Sequence, residues 1–267
     1  MFEPLYVAAT GMNVFQDEMV DITNNLANAR TVGFKKGRTE KESLFTIERT
    51  FQSELRDQMI KQGVTPTFGS VEYGTGVRVA ATTKDFSQGT IEITSSPLDL
   101  AIQGDGFFQF RMADGTYAYG RAGNLHIDNE GNLVDPNGHK IEPGIIIPQG
   151  TTRIIIKQDG IVLVSVNNSV ETEEVGQITL ARFPNSGGLK GLGQNLFAET
   201  PASGQVVLGT ANQEGYGSIS QYALESSNVD VISEMMRMVM IQRVFDTVSK
   251  AVQSYDGMLT AIERMKS

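Results

Sequence analysis

Apolar residues recur at alternating spacings of three and four at both ends of this chain, and that double pattern restricts its fold more than any other feature. Leu5, Ala8, Met12, Phe15, Met19, Ile22 and Leu26 form one run; Met238, Ile241, Phe245, Val248, Val252, Tyr255, Leu259 and Ile262 form the other. Such spacing sets every member on one stripe of an α-helix, the seam of a coiled coil. Two seams at opposite ends of one chain are expected to be partners. Pro4 suits a first helical turn, where its missing N–H is not needed, and Asp230 is a capping residue ahead of Val231.

Between the seams the pattern changes to strands. TRIIIKQDGIVLVSV reads as a hairpin, two β-branched runs separated by Gln158, Asp159 and Gly160. Similar punctuation recurs at Asp114-Gly115, Glu130-Gly131 and Asn137-Gly138, so an all-β body is expected over 76–223. Residues 37–75 are less decided: Leu44, Ile47, Phe51, Leu55 and Met59 suit a helix face, whereas QGVTPTFGSVEYGTG is loop-like. The expectation there is an extended connector or hairpin-like extension. The fold class is α+β: N- and C-terminal helices (1–36 with 224–267) pair as a coiled-coil-like domain, and a central all-β domain is inserted between them.

Composition removes several functions. With 22 basic against 31 acidic residues the net charge is −9, which opposes general attraction to nucleic acid. There is no cysteine, so disulfides and thiolate chemistry are excluded. The N-terminus lacks the basic and apolar regions of a cleaved signal, and no run is long enough for membrane insertion. His126 and His139 lack the spacing of a metal site. Gly104, Gly106 and the stretch 187–193 have no phosphate-loop context, and Leu133 stands where a calcium loop beginning at Asp128 needs glycine. No catalytic, cofactor-binding or metal residue is expected, and the chain is not read as an enzyme.

What remains is assembly. An isolated helix of these lengths is marginal in water, so firm structure at the ends calls for packing against each other and against copies in other subunits. Nine of the eleven methionines lie in the terminal segments, and an unbranched thioether adapts to the slightly inequivalent contacts of a helical polymer.

The stretch ITNNLANARTVGFKK closes the first seam with Asn24, Asn25 and Asn28, then Gly33 and Phe34. Asn28 can cap the last carbonyls of the helix while Asn24 and Asn25 offer amides to the adjoining chain. Gly33 permits a reversal and Phe34 packs back beside the seam. The rival reading makes Asn24 or Asn25 a contact between subunits.

ITNNLANARTVGF also resembles the N-terminal signature of the axial rod and hook proteins of the bacterial flagellum. SSNVDVISEMMRMVMIQRVFDTVSKAV resembles the matching C-terminal signature, with Asn228 in its opening turn and Gln242 and Arg243 in its core; Val244, Phe245 and Asp246 depart conservatively. LDLAIQGDGFFQF and YGRAGNLHIDNEGNLV are similar to the strand pair of that family. The resemblance implies a homo-oligomeric helical tube in the basal body, crossing the periplasm and exported without a cleaved signal. Its implied partners are proximal rod and hook-side axial proteins and the ring bushing around the rod, with no cofactor. A secreted β-rich adhesin or fibre module, and a glycan-acting enzyme, are the competing classes.

Overall fold

The computed structural model describes residues 3–49, 71–166, 171–213 and 215–266. Helix α1 covers Glu3–Ala27 and helix α2 covers Val231–Lys266. Both begin where Pro4 and Asp230 signal a start. Twenty strands stand between them, which makes the described chain α+β. It divides into two compact units. A helical unit comprises Met1–Thr23, Arg38–Thr82 and Ile232–Ser267; a β unit comprises Asn24–Gly37 and Thr83–Val231.

The β unit is built around an antiparallel sheet running Lys190–Gly193, Leu196–Ala198, Tyr117–Gly120, Phe107–Arg111, Lys140–Ile141, Leu133–Val134 and His126–Ile127. Thr179–Arg182 also joins Phe107–Arg111 and brings in Val207–Thr210. The run GFFQF explains why this strand is central. Phe108 and Phe110 point into the larger core with Leu100, Ile102, Leu133, Ile141 and Val162, while Phe107 points into a second cluster with Tyr119, Phe183 and Phe197. A strand apolar on both faces is covered on both faces. In the second cluster Tyr119 and Phe183 meet edge to face at 4.8 Å, and Phe86 meets Phe197 at 5.0 Å.

The expected hairpin is present. Thr151–Ile156 pairs antiparallel with Ile161–Val166, and Glu173–Gln177 adds a third strand. At the turn Gly160 takes φ +85°, and the Asp159 carboxylate accepts the Ile161 amide. The same device recurs at the other signalled turns, where Asp114, Asp128 and Asp135 accept the amide two residues ahead.

In the helical unit two ribbons accompany the helices. Gly37–Ser43 pairs with Val77–Lys84, and Thr46–Arg49 pairs with Val71–Gly74, with Ile47 opposite Tyr73. Ile47 therefore belongs to a strand and Leu44 to the short link before it, so the helix face considered for this stretch does not form there. β-Branched Thr46 and Ile47 suit the pleated conformation. Phe51, Leu55 and Met59 lie outside the described residues. The first ribbon lies along α1: Thr39 donates to the Asp21 carboxylate and Lys41 to Glu18, while the Lys41 ammonium sits over the Phe15 ring.

Candidate assembly site

Val14, Glu18 and Ile22 form the most buried line of α1, at spacings of four. Of the expected seam residues on this helix, Ile22 is buried and Leu5, Ala8, Met12, Phe15, Met19 and Leu26 are half-buried. The buried line lies to one side of the seam because the ribbon beginning at Gly37 covers that flank. Glu18 is held there by Lys41 and by Arg237 of α2, whose guanidinium is 3.1 Å away. Arg237 also approaches Glu234 at 3.4 Å.

On α2 most of the sheltered residues fall on the expected seam, and Glu234 and Ser249 are sheltered beside it. Ile241 is buried, and Met238, Phe245, Val248, Val252, Tyr255 and Leu259 are half-buried; Ile262, near the end, is 59% exposed. Gln242 and Arg243 are exposed. On the side away from the seam, Met235, Met236, Val239 and Met240 are 52%, 61%, 48% and 65% exposed.

In the β unit the asparagine cluster forms part of a polar node. The Asn25 amide is enclosed and makes two bonds with one residue: its Nδ2 donates to the Gly37 carbonyl at 2.9 Å, and the Gly37 amide donates back to Oδ1 at 2.8 Å. Asn28 donates through Nδ2 to the Asn24 carbonyl at 2.9 Å, closing the last turn. Asn24 itself is exposed. Gly33 reverses the chain at φ +68°, and its amide donates to the Glu225 carbonyl at 2.8 Å. Phe34 is buried under the Lys84 ammonium, 5.0 Å from its ring centroid.

Lys35 and Glu225 form the centre of the node. Lys35 donates to Glu225 Oε1 at 2.6 Å and to the Ser87 carbonyl at 2.7 Å. Gly89 adds its amide to the same Oε1 at 2.9 Å, while Arg121 stands 3.5 Å from Oε2 and donates to the Gly104 carbonyl. Among the described residues Oε2 accepts no hydrogen bond, and the Arg121 guanidinium is the charge that faces it. Burial pushes the Lys35 ammonium below the usual lysine value, against the upward pull of Glu225. Burial likewise lowers Arg121, and Glu225 opposes that shift.

Asn228 completes the node. Its Oδ1 accepts the Lys36 amide at 2.9 Å, and its Nδ2 donates to the Asp85 carbonyl at 2.8 Å and to Ser87 Oγ at 3.0 Å. Lys36 then pairs with the Asp85 carboxylate at 3.3 Å. Segments 25–37, 85–89 and 225–228 are thereby fastened to one another by side chains.

Lys35, Arg121, Glu225 and Asp85 were not legible from periodicity. Lys35 and Glu225 are 190 positions apart, and a charged residue that will be buried looks locally like one that will be solvated. Among the described residues, no group of three or more His, Asp or Glu could hold a metal ion, and no helix is long and apolar enough to cross a membrane.

Two terminal helices with a β-rich region between them make the described chain α+β, and relatives give its class as that of structural subunits. The flagella basal body rod protein model matches residues 5–35. The flagellar hook protein FlgE/F/G D1 domain matches 101–164, and the flagellar basal body rod FlgEFG protein C-terminal model matches 220–265. The chain is 40% identical to the flagellar basal-body rod protein FlgG of Caulobacter vibrioides over 99% of its own length and 100% of that protein. It is 40% identical to FlgG of Borreliella burgdorferi over 100% and 99%, and 36% identical to FlgG of Bacillus subtilis over the whole of both. The chain belongs to the flagellar basal-body rod protein family, whose members are structural subunits of the flagellar basal body.

Proposed function

We propose that copies of this chain polymerise into the tubular distal rod, the drive shaft that passes motor torque to the hook. The observation that carries this reading is the double-sided character of α2. One apolar stripe, from Met238 to Leu259, is sheltered within the single chain, whereas Met235, Met236, Val239 and Met240 on the other side are about half exposed or more. A helix apolar on two sides calls for covering on two sides, and one partner helix supplies only one.

In this reading α1 and α2 pair along their seams as a coiled-coil core made of 1–36 and 224–267. The Glu18–Arg237 ion pair supports that pairing. Residues 37–75 serve as the extension, and 76–223 form the outer layer. Proximal rod and hook-side axial proteins are the neighbours along the axis, and the ring bushing surrounds the shaft. The chain reaches the periplasm unfolded, through the flagellar type III export apparatus. Length, YGTGVRV and NLFAET favour the distal position; a proximal rod position is the alternative, distinguished by which axial protein the purified chain caps.

Electron microscopy of the concentrated protein tests the reading. Wild-type chain is expected to form tubes and Ile241→Asp to remain monomeric, because the carboxylate enters the sheltered stripe. Tubes of ordinary yield from the variant would refute the role given to the seams.

A further inference from the structure

Beside the second aromatic cluster of the β unit is a pocket of about 480 Å³ whose walls include Phe86, Phe107 and Phe183 together with Arg121, Arg182 and Asp105. Its size is that of sites for small organic molecules. The arginines come from two strands that both pair with Phe107–Arg111: Arg121 follows Tyr117–Gly120, and Arg182 ends Thr179–Arg182. The Arg121 side chain is 4% exposed, and its guanidinium lies over the Phe107 ring, 5.2 Å from the centroid. Arg182 is exposed and lies over the Tyr216 ring at 6.0 Å. Aromatic faces hold both planar cations in place.

Neither guanidinium is fully satisfied. Among the described residues Arg121 donates through Nη1 to the Gly104 carbonyl, and its buried Nε has no hydrogen-bond partner. Arg182 forms no ion pair among the described residues. Asp105 favours the charged form of Arg121 from a distance but makes no ion pair with either arginine. Across the node and the pocket, Lys35, Lys36, Arg121 and Arg182 stand against the carboxylates of Glu225, Asp85 and Asp105, so one positive charge is left over in a chain whose net charge is −9.

We propose that this pocket binds one carboxylate group carried on an apolar or aromatic body. A carboxylate matches the planar fork of a guanidinium and brings the single negative charge that the surrounding groups lack. A phosphate dianion would overshoot that charge beside Asp105. The aromatic walls take the body of the ligand, which bare chloride does not have. The carrier is either a free organic acid or an acidic side chain of another copy with its methylenes; the recognising chemistry is the same. The site lies away from the terminal helices and does not depend on the tube reading.

Titration of the dilute full-length chain with benzoate, followed by amide NMR shifts at constant ionic strength in chloride, tests the proposal; benzamide offers the same ring without the charge. Benzoate is expected to saturate around Asp105, Arg121 and Arg182 and to bind about tenfold or more tighter than benzamide. Arg182→Gln, at an exposed position, should weaken benzoate by about tenfold and leave benzamide unchanged, and Asp105→Asn, which removes a like charge, should tighten benzoate by about threefold. No saturable shift with benzoate, equal affinity for benzoate and benzamide, or a benzoate affinity indifferent to both substitutions would overturn the site. Sedimentation then distinguishes the carriers. Loss of self-association in saturating benzoate, for wild type but not for Arg182→Gln, assigns the carboxylate to another copy, whereas association unchanged by bound benzoate assigns it to a free acid. Failure of the chain to form tubes leaves the binding measurement intact, so the two readings fail separately.

Discussion

The Lys35 ammonium lies 2.6 Å from the Glu225 carboxylate, 190 positions further along the chain, and neither side chain has any solvent exposure. Arg121, 4% exposed, is the second cation at the same carboxylate. Two buried cations therefore share one anion, and the consequences of removing each are unequal. Glu225→Gln leaves Lys35 and Arg121 facing each other without an anion and is expected to destabilise the chain by about 3–5 kcal/mol. Lys35→Met leaves Arg121 paired with Glu225 and should cost less. Urea unfolding ranks the two; the reverse order would contradict this charge assignment.

Asn25 makes a similar test of hydrogen bonding. Asn25→Ala leaves the Gly37 amide and carbonyl without their partner, at about 1–3 kcal/mol for each unsatisfied buried group. Asn25→Asp should be no better, since its carboxylate can accept from the Gly37 amide but repels the Gly37 carbonyl. Hydrogen exchange at the Gly37 amide reads the loss directly and should accelerate in Asn25→Ala.

Gly33 and Gly115 separate backbone conformation from crowding. Both have positive φ, +68° and +83°. A Cβ on Gly33 would stand 2.5 Å from the Ala122 amide nitrogen, whereas one on Gly115 meets nothing within 4 Å. Gly115→Ala is expected to cost about 1–2 kcal/mol from the left-handed backbone alone. Gly33→Ala should cost clearly more, and equal thermal shifts would argue against the close approach.

Acid should act on the node through Asp85. Burial raises its pKa, but the amide and hydroxyl of Ser87 and the Lys36 ammonium outweigh that and hold it below the ordinary value of 3.8. A carboxyl depressed on folding stabilises the fold fully above its unfolded value, and the contribution disappears as pH falls through the folded one. Asp85→Asn is therefore expected to flatten the stability profile below about pH 4, with little change in the slope between pH 5 and 8. An unchanged acid limb in equilibrium unfolding would rule Asp85 out as a contributor.

Periodicity carried the helices and turn chemistry carried the hairpin, because both are written within a few neighbouring residues. Met238 to Leu259 is sheltered as its spacing implies, and Gly160 turns where Asp159 announces it. The cap of Asn28 on Asn24 was equally local. By contrast, α1 shelters Val14 and Glu18 more than its seam, because the ribbon beginning at Gly37 covers one flank and no helical repeat encodes a strand's position. Ile47 went to a strand for the same reason: its partner, Tyr73, is set by pairing across an intervening stretch. Lys35, Arg121 and Glu225 were hidden because burial of a charge depends on where distant segments meet.

Asn228 fastens Lys36 and Ser87 only after almost the whole chain exists. Lys35 and its counterion Glu225 stand 190 positions apart, so the buried charge is matched only when the two ends of the chain fold together. A product broken off before residue 225 contains the sealed cation's site but not its answer, and the cost of an unmatched charge falls on that fragment alone. A chain that reaches residue 228 is therefore a condition for closing this part of the fold.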